Sequence, residues 1–230
     1  MTDTSHLLKS FDTALDGLLN DFKAMGELTA QNCTLAIKAY LSTDAKLALE
    51  AVNQDLDIDE AFEKIRADCF DALLRFQPVA KDLRLVIGIE HAVGDLERAG
   101  DHAKNIAKRV ISNAAPAMAE ADAKAIEDMA AIVAKAIETS VAAMVARTAE
   151  DAKHVIAADE HIDARNDAIF DAAIVALRQA PSDANTQVQR LFVAKALERI
   201  GDHATNIAEE VLFLTRGVAP GATRSGQGTA

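Results

Sequence analysis

Tryptophan is absent from this 230-residue chain, and proline, glycine and cysteine are scarce, with 4, 10 and 2 residues respectively. Because proline and glycine interrupt helices, their scarcity in a chain rich in Ala, Leu, Glu and Lys favours long helices. Aromatic residues make up only 4% of the chain, which argues against a β-rich fold, since strands favour aromatic and β-branched side chains. We therefore expect an all-α protein.

Basic residues are also in deficit, with 24 Lys and Arg against 36 Asp and Glu and a net charge of -12. This balance argues against a nucleic-acid partner, because no extended basic face is available to neutralise phosphates. The chain begins without a secretory signal, and no run approaches the roughly 18 consecutive apolar residues of a membrane span. Cys33 and Cys69 form no CxxC motif and are expected to be buried, reduced thiols of a cytoplasmic protein.

The few prolines divide the chain into long segments. Pro78, Pro116 and Pro181 lie between uninterrupted stretches, and a proline inside a helix costs about 3 kcal/mol. Capping residues at 42–44 and 148–151 mark two further helix boundaries. Helices of about 30 residues joined by short connections form antiparallel bundles. The predicted helices are 6–41, 44–76, 79–113, 117–147, 150–179 and 183–215, followed by a disordered tail at 217–230.

The chain contains an internal duplication. The segment LERAGDHAKNIAKRV at 96–110 recurs as LERIGDHATNIAEEV at 197–211, an offset of 101 residues. Proline positions and upstream aspartates repeat as well. The simplest architecture is two similar antiparallel three-helix bundles, residues 1–114 and 115–216.

Each copy carries four acidic residues that an antiparallel helix pair would bring level. In the first copy they lie 19 and 23 residues on either side of Pro78, and residues four apart share a helix face. Carboxylates that converge on one point repel one another. They therefore either point to water and are balanced by Lys and Arg, or they bind a metal ion. Carboxylate oxygens are suitable ligands for hard or borderline cations. The eight candidate metal ligands are Asp55, Asp59, Glu97, Asp101, Asp159, Asp163, Glu198 and Asp202.

A glycine lies inside each acidic motif. Gly100 and Gly201 fall within predicted helices, where glycine costs about 0.5–1 kcal/mol relative to alanine. We expect them to permit the close approach of a helix, an ion or a partner. His102 and His203 are rotated by about 100° from the adjacent aspartates and need not face the same ion. Further candidates for supporting the ligands or contacting a partner are Arg98, Asn105, Arg199 and Asn206.

These residues carry a resemblance. Two copies of ER-x-GDHA-x-NIA, the segment QPVAKDLRLV at 77–86 and the upstream D-x-x-x-D stretches resemble the PhoU family of phosphate-transport regulators, over about residues 6–215. The resemblance implies a non-enzymatic adaptor that links the phosphate ABC transporter ATPase to a membrane sensor histidine kinase and keeps the phosphate-starvation regulon off. It also implies iron or zinc clusters at the eight carboxylates, a homodimer, and a location beside the inner membrane through partners. The second hairpin turn reads QAPSDAN, so a contact made by the first turn is not transferred to it.

Two other classes of protein stay open at this point. A ferritin-like di-metal oxidoreductase also uses carboxylates from facing helices, but it wants Glu-x-x-His pairs, which the sequence does not contain. A structural helical scaffold would not require glycine within a duplicated acidic motif. The sequence has no GxxxxGK[ST] loop, so it does not indicate a direct phosphate site.

Overall fold

The computed structural model describes residues 4–112 and 118–216, except for the side chains of 4–8, 183 and 216. The described residues form six α-helices and one 3-10 turn, with no strand among them, and the all-α prediction is confirmed. Residues 113–117 and the tail predicted at 217–230 lie outside the described residues. The helices are α1 Thr4–Ser42, α2 Ala45–Phe76, α3 Ala80–Ile111, α4 Glu120–Ala146, α5 Ala149–Gln179 and α6 Ala184–Arg216, and the 3-10 turn is Pro181–Asp183.

Short connections make consecutive helices antiparallel neighbours within each half. At the first connection Asp44 caps α2, because its Oδ1 accepts hydrogen bonds from the backbone N–H groups of Lys46 at 2.8 Å and Leu47 at 3.2 Å. The cap predicted at 42–44 is therefore confirmed. At the corresponding position before α5, the hydroxyl of Thr148 donates to the Asp151 carboxylate at 2.6 Å and makes no hydrogen bond to the helix backbone.

The two halves are similar three-helix bundles that share one core. Helices α1, α2 and α3 pack against one another, as do α4, α5 and α6, while α1–α4 and α3–α6 contacts join the halves. The buried apolar side chains form one cluster that includes Phe22 and Met25 of α1 and Met144 of α4. Gly26 lets α1 approach α4, since a Cβ there would collide with Val141. The predicted bundle architecture is confirmed, and the domain boundary at 114/115 stays a prediction.

Helix α4 is more apolar than the absence of long uninterrupted apolar runs in the sequence indicated. Its 27 residues are long and apolar enough to cross a membrane by length and composition, with a mean hydropathy of 1.6 over an 18-residue window. Half of that window is buried inside the protein, and α4 packs against α1, α5 and α6. The core helix of a bundle meets the same criterion, because it is apolar over much of its circumference.

Candidate carboxylate clusters and the interface between the halves

A lysine closes the first carboxylate cluster, which comprises Asp55 and Asp59 of α2 and Glu97 and Asp101 of α3. The Lys104 ammonium forms an ion pair with Asp55 Oδ2 and another with Asp101 Oδ1 at 2.5 Å. The Asp55 side chain is only 1% exposed. The buried charge of Asp55 is therefore compensated from within the chain, since a buried carboxylate without a cation is strongly unfavourable.

The four acids of the first cluster also act on one another electrostatically. Burial raises the pKa of Asp55, Lys104 lowers it, and Asp59 and Asp101 raise it further. Burial also raises the pKa of Glu97, with additional repulsion from Asp101 and Asp59. Asp55 Oδ1 is buried and has no hydrogen-bond partner among the described residues. The antiparallel hairpin thus brings the first set together at one level, as the spacing predicts.

The second cluster, Asp159 and Asp163 of α5 with Glu198 and Asp202 of α6, lacks such a lysine. Thr205 occupies the position that corresponds to Lys104, and its hydroxyl donates to Asp159 Oδ1 at 3.2 Å. Burial raises the pKa of Asp163, and repulsion from Glu198 and Asp202 raises it further. The second cluster is therefore more negative at its centre than the first.

Cations of the second cluster lie at its edge. Lys195 forms an ion pair with Glu198, and Arg199 forms one with Asp202 at 3.2 Å. The Lys195 and Arg199 side chains are about half exposed, whereas those of Glu198 and Asp202 are 15% and 33% exposed. Solvent therefore screens these two pairs more than it screens the buried pair between Lys104 and Asp55.

The two clusters differ in how well they fit a metal ion. Over residues 4–112 and 118–216 as described, no three His, Cys, Asp or Glu side chains are grouped as a metal site would require. In the first cluster the Lys104 ammonium already pairs with Asp55 and Asp101 and would repel a second cation there. The second cluster offers an all-oxygen set in Asp163, Glu198 and Asp202, whose mutual repulsion a hard or borderline cation would relieve. Metal binding by the eight carboxylates stays a prediction.

The two motif glycines serve helix packing. An added Cβ at Gly100 would lie 3.1 Å from Ile58 Cδ1 and 3.2 Å from Asp55 Oδ1. At Gly201 it would lie 2.8 Å from Ile162 Cδ1. Of the roles that the sequence left open, the structure therefore shows the close approach of a neighbouring helix.

Sequence reasoning missed Asp95, which joins the two halves. This α3 residue is 8% exposed and contacts α6 through His203 Nδ1 at 2.8 Å and Asn206 Nδ2 at 3.0 Å. Farther along the same helix pair, His91 Nδ1 lies 3.1 Å from Glu210 Oε1. Asp95 and His91 have no identical counterpart in the second motif, so a search restricted to repeated residues passes over them.

The remaining candidates have separate surroundings. His102 and His203, equivalent in the two repeats, stack with ring centroids 5.6 Å apart. Asn206 supports Asp95, whereas Asn105 is exposed. Arg98 is exposed and lowers the pKa of Glu97, acting against the larger effects of burial and neighbouring acids.

Comparison with known proteins agrees with this geometry. The model of the PhoU domain family matches residues 22–110 and 126–211. A phosphate-specific transport system accessory protein PhoU homolog of Rhizobium meliloti is 32% identical over 94% of this chain and 91% of its own length. The homolog of Pseudomonas aeruginosa is 30% identical over 93% of this chain and 88% of its own length.

Solved structures match as well. The crystal structure of PhoU from Pseudomonas aeruginosa superposes with a TM-score of 0.85 at 30% identity, covering 90% of this chain and 100% of that one. The phosphate transport system regulatory protein PhoU from Streptococcus pneumoniae gives a TM-score of 0.81 at 29% identity, covering 90% of this chain and 98% of that one. The chain therefore belongs to the PhoU family.

Proposed function

We propose that this protein is a non-enzymatic regulator that links the phosphate ABC transporter to a sensor histidine kinase and represses the phosphate-starvation regulon when phosphate is plentiful. The observation that carries the proposal is the match along nearly the whole chain to relatives named as phosphate-specific transport system accessory proteins. The protein acts in the cytoplasm as a homodimer and lies at the inner membrane through the transporter ATPase and the cytoplasmic domain of the kinase.

The chemistry of the described side chains supports a role without catalysis. Cys33 and Cys69 are buried, and burial raises the pKa of each thiol to about 12. Because the thiolate is the nucleophilic form, neither cysteine is a nucleophile at neutral pH. In the first carboxylate cluster Asp55 and Asp101 form ion pairs with Lys104, so these two acids are poorly suited to acid–base work.

A metal ion has a place in this proposal at the second cluster. Asp163, Glu198 and Asp202 would have to draw together to hold it, since these described side chains are not grouped as a metal site requires. Iron or zinc would then neutralise the acidic face and supply a cationic point for a partner's oxygen or nitrogen ligands. The first cluster would bind a cation only if Lys104 moved away from Asp55 and Asp101.

Gene deletion tests the regulatory role. Loss of the gene should raise transcription from phosphate-regulon promoters in phosphate-rich medium, and a plasmid copy should restore repression. The control is a deletion strain that also lacks the kinase, in which expression should stay low. Unchanged expression in the single deletion would remove the regulatory proposal.

Pull-down tests the partners. The purified chain is incubated with the cytoplasmic domain of the kinase or with the transporter ATPase, at high and low phosphate. Capture of both is expected, with a phosphate-dependent difference for at least one. Capture of neither at any phosphate concentration would contradict the adaptor proposal.

Metal analysis separates the two clusters. After reconstitution with iron or zinc and desalting, the variant Glu198→Ala, Asp202→Ala should lose most bound metal. The matched variant Glu97→Ala, Asp101→Ala should keep it, because the Lys104 ammonium lies between Asp55 and Asp101 of the first cluster and would repel a cation there. Equal metal content in the wild type and in a variant with all four substitutions would remove the metal from the proposal.

A further inference from the structure

Two clefts of opposite charge lie along the contact between α3 and α6. The first, here called the basic cleft, has a volume of about 520 Å³, and the basic groups that line it are His102, Lys108, Arg109, Lys195 and Arg199, with no acidic side chain among its lining residues. The second, here called the acidic cleft, has a volume of about 480 Å³ and includes Glu90, Asp95, Glu209 and Glu210 together with Arg66 and Arg98.

The internal duplication relates the two clefts. With the motif offset of 101 residues, Lys108 corresponds to Glu209 and Arg109 to Glu210, so that NIAKRV in one repeat stands where NIAEEV stands in the other. The contacts follow the same relation: Arg109 lies over the Phe192 ring, and His91, the counterpart of Phe192, contacts Glu210. The fold accepts either charge at these positions, so helix packing does not explain the basic pair.

The basic pair is not neutralised by the chain. The Arg109 guanidinium lies 4.1 Å from the centroid of the Phe192 ring and donates a hydrogen bond to the neutral side chain of Gln189 at 2.8 Å. Lys108 is exposed and forms no ion pair with any carboxylate that the structure describes. Two uncompensated cations side by side are notable in a chain whose net charge is -12.

Cations from both helices line the basic cleft. Residues 102–109 of α3 span about 10 Å at 1.5 Å per residue, and α6 contributes Lys195 and Arg199 alongside them. Guanidinium and ammonium groups together suit tetrahedral phosphoryl groups, because the guanidinium fork donates two parallel hydrogen bonds and the ammonium supplies a compact charge. A volume of about 520 Å³ lies within the range of small-molecule sites and exceeds the needs of a single phosphate ion.

We propose that the basic cleft binds a small phosphorylated anion, with Lys108 and Arg109 as its principal ligands. The shared chemistry is a phosphoryl group carried by a free small molecule, either inorganic phosphate, a short polyphosphate or a nucleotide. Lys195 and Arg199 add to the positive potential of the cleft while they stay paired with Glu198 and Asp202. The proposal does not depend on the regulatory function above, since binding is measured on the purified chain.

Titration calorimetry on the purified full chain tests the proposal. Orthophosphate, tripolyphosphate and ATP are titrated separately in buffer containing a chelator, which removes metal-mediated binding. At least one should bind saturably, and its affinity should fall as salt is raised, because the attraction is electrostatic. The anion that binds most tightly identifies the class of molecule that carries the phosphoryl group.

The duplication supplies the matched variants. Lys108→Glu, Arg109→Glu installs the residues that the other repeat already holds, and it should weaken binding by at least about tenfold through loss of two charge-assisted contacts. Glu209→Gln, Glu210→Gln in the acidic cleft should leave the affinity within about twofold. Circular dichroism establishes that both variants fold. If the folded wild type binds none of the three anions, or if Lys108→Glu, Arg109→Glu binds equally well, the proposal is overturned.

Discussion

A single residue distinguishes the two carboxylate clusters. Lys104 and Thr205 occupy equivalent positions in the duplicated motif, yet one brings a cation to a buried aspartate and the other only a hydroxyl. Because a buried charge is tolerated only with a partner, the lysine makes the first cluster a structural ion pair. The second cluster has no buried cation at this position, and the cations that pair with its acids, Lys195 and Arg199, are half exposed.

Replacing Lys104 should therefore reveal how much the first cluster contributes to stability. Lys104→Thr should lower the free energy of unfolding by about 3 kcal/mol at pH 7, because it leaves Asp55 buried without a cation. Urea denaturation followed by circular dichroism measures the loss. Lys135→Thr, which removes an exposed ion pair with Glu138 on α4, should cost less than about 1 kcal/mol. Equal losses in the two variants would contradict this account.

The loss in Lys104→Thr should also depend on pH. Burial raises the pKa of Asp55, and removal of the lysine takes away a group that lowers it. The folded state then holds the Asp55 proton more tightly than the unfolded chain does, so stability falls as pH rises through the interval between the two pKa values. The deficit relative to wild type should shrink as pH approaches about 4, the ordinary carboxyl range, and a deficit constant from pH 7 to pH 4 would argue against Asp55 as its source.

The sequence allowed the acidic residues of each cluster to be predicted, but not the differing states of the two clusters. The number of residues between each acid and the proline of the turn was enough to predict which acids face one another. Each residue adds a fixed rise along the helix axis, so equal counts on either side of the turn place two residues at the same height in an antiparallel pair. Whether Lys104 reaches Asp55 depends on side-chain geometry across two helices, which spacing does not contain. Asp95 was missed for another reason: its partners His203 and Asn206 lie more than 100 residues away and on a different bundle.

At the scale of helices, the positions of helix-breaking prolines and of capping residues predicted all six helices. The predicted boundaries differ from the observed ones only at the helix ends. Helix α4 begins at Glu120 rather than at 117, and α3 ends at Ile111 rather than at 113. Alanine-rich sequence near Pro116 offers no side chain that marks a boundary, and Ala119 caps α4 without a side-chain hydrogen bond. Where a capping carboxylate is present, as at Asp44, the boundary is correct to one residue.

Glycines within helices give a test of close packing between elements. Gly201→Ala should destabilise the protein by about 1 kcal/mol, because the overpacking of Ile162 at 2.8 Å, worth about 1–3 kcal/mol, outweighs the gain in helix propensity of about 1 kcal/mol. Gly17→Ala is the control, since nothing lies within 4 Å of its added Cβ, and it should stabilise α1 by about 0.5–1 kcal/mol.

Thermal denaturation of the two variants measures the difference. Adding Ile162→Val to Gly201→Ala should recover part of the lost stability, since it removes the Cδ1 methyl nearest the new Cβ. A stabilising effect of Gly201→Ala by itself would show that α5 and α6 separate readily at this point.

At the scale of the molecule, duplication predicted two bundles but not their fusion. The sequence predicts that the acidic face of α3 either faces solvent or binds a metal ion. In the structure α3 also packs against α6, through Asp95, His203 and Asn206. Spacing within one repeat says nothing of how that repeat contacts the other, because the contact depends on side chains from both: His102 stacks on its counterpart His203, and Asp95 pairs with His203. The result is one apolar core built from all six helices.

A shared core predicts that the halves unfold together, and the chain carries a probe of the first half alone. Cys33 and Cys69, the two free cysteines among the described residues, are both buried there. Burial raises the pKa of each thiol to about 12, so at pH 8 almost no thiolate exists and neither should react with a disulfide reagent in the folded protein.

Thiol exposure in guanidinium should follow loss of helix by circular dichroism with one midpoint. Asp95→Ala, which weakens the α3–α6 contact, should shift both midpoints down equally, whereas separated midpoints would mean that the repeats fold as independent domains.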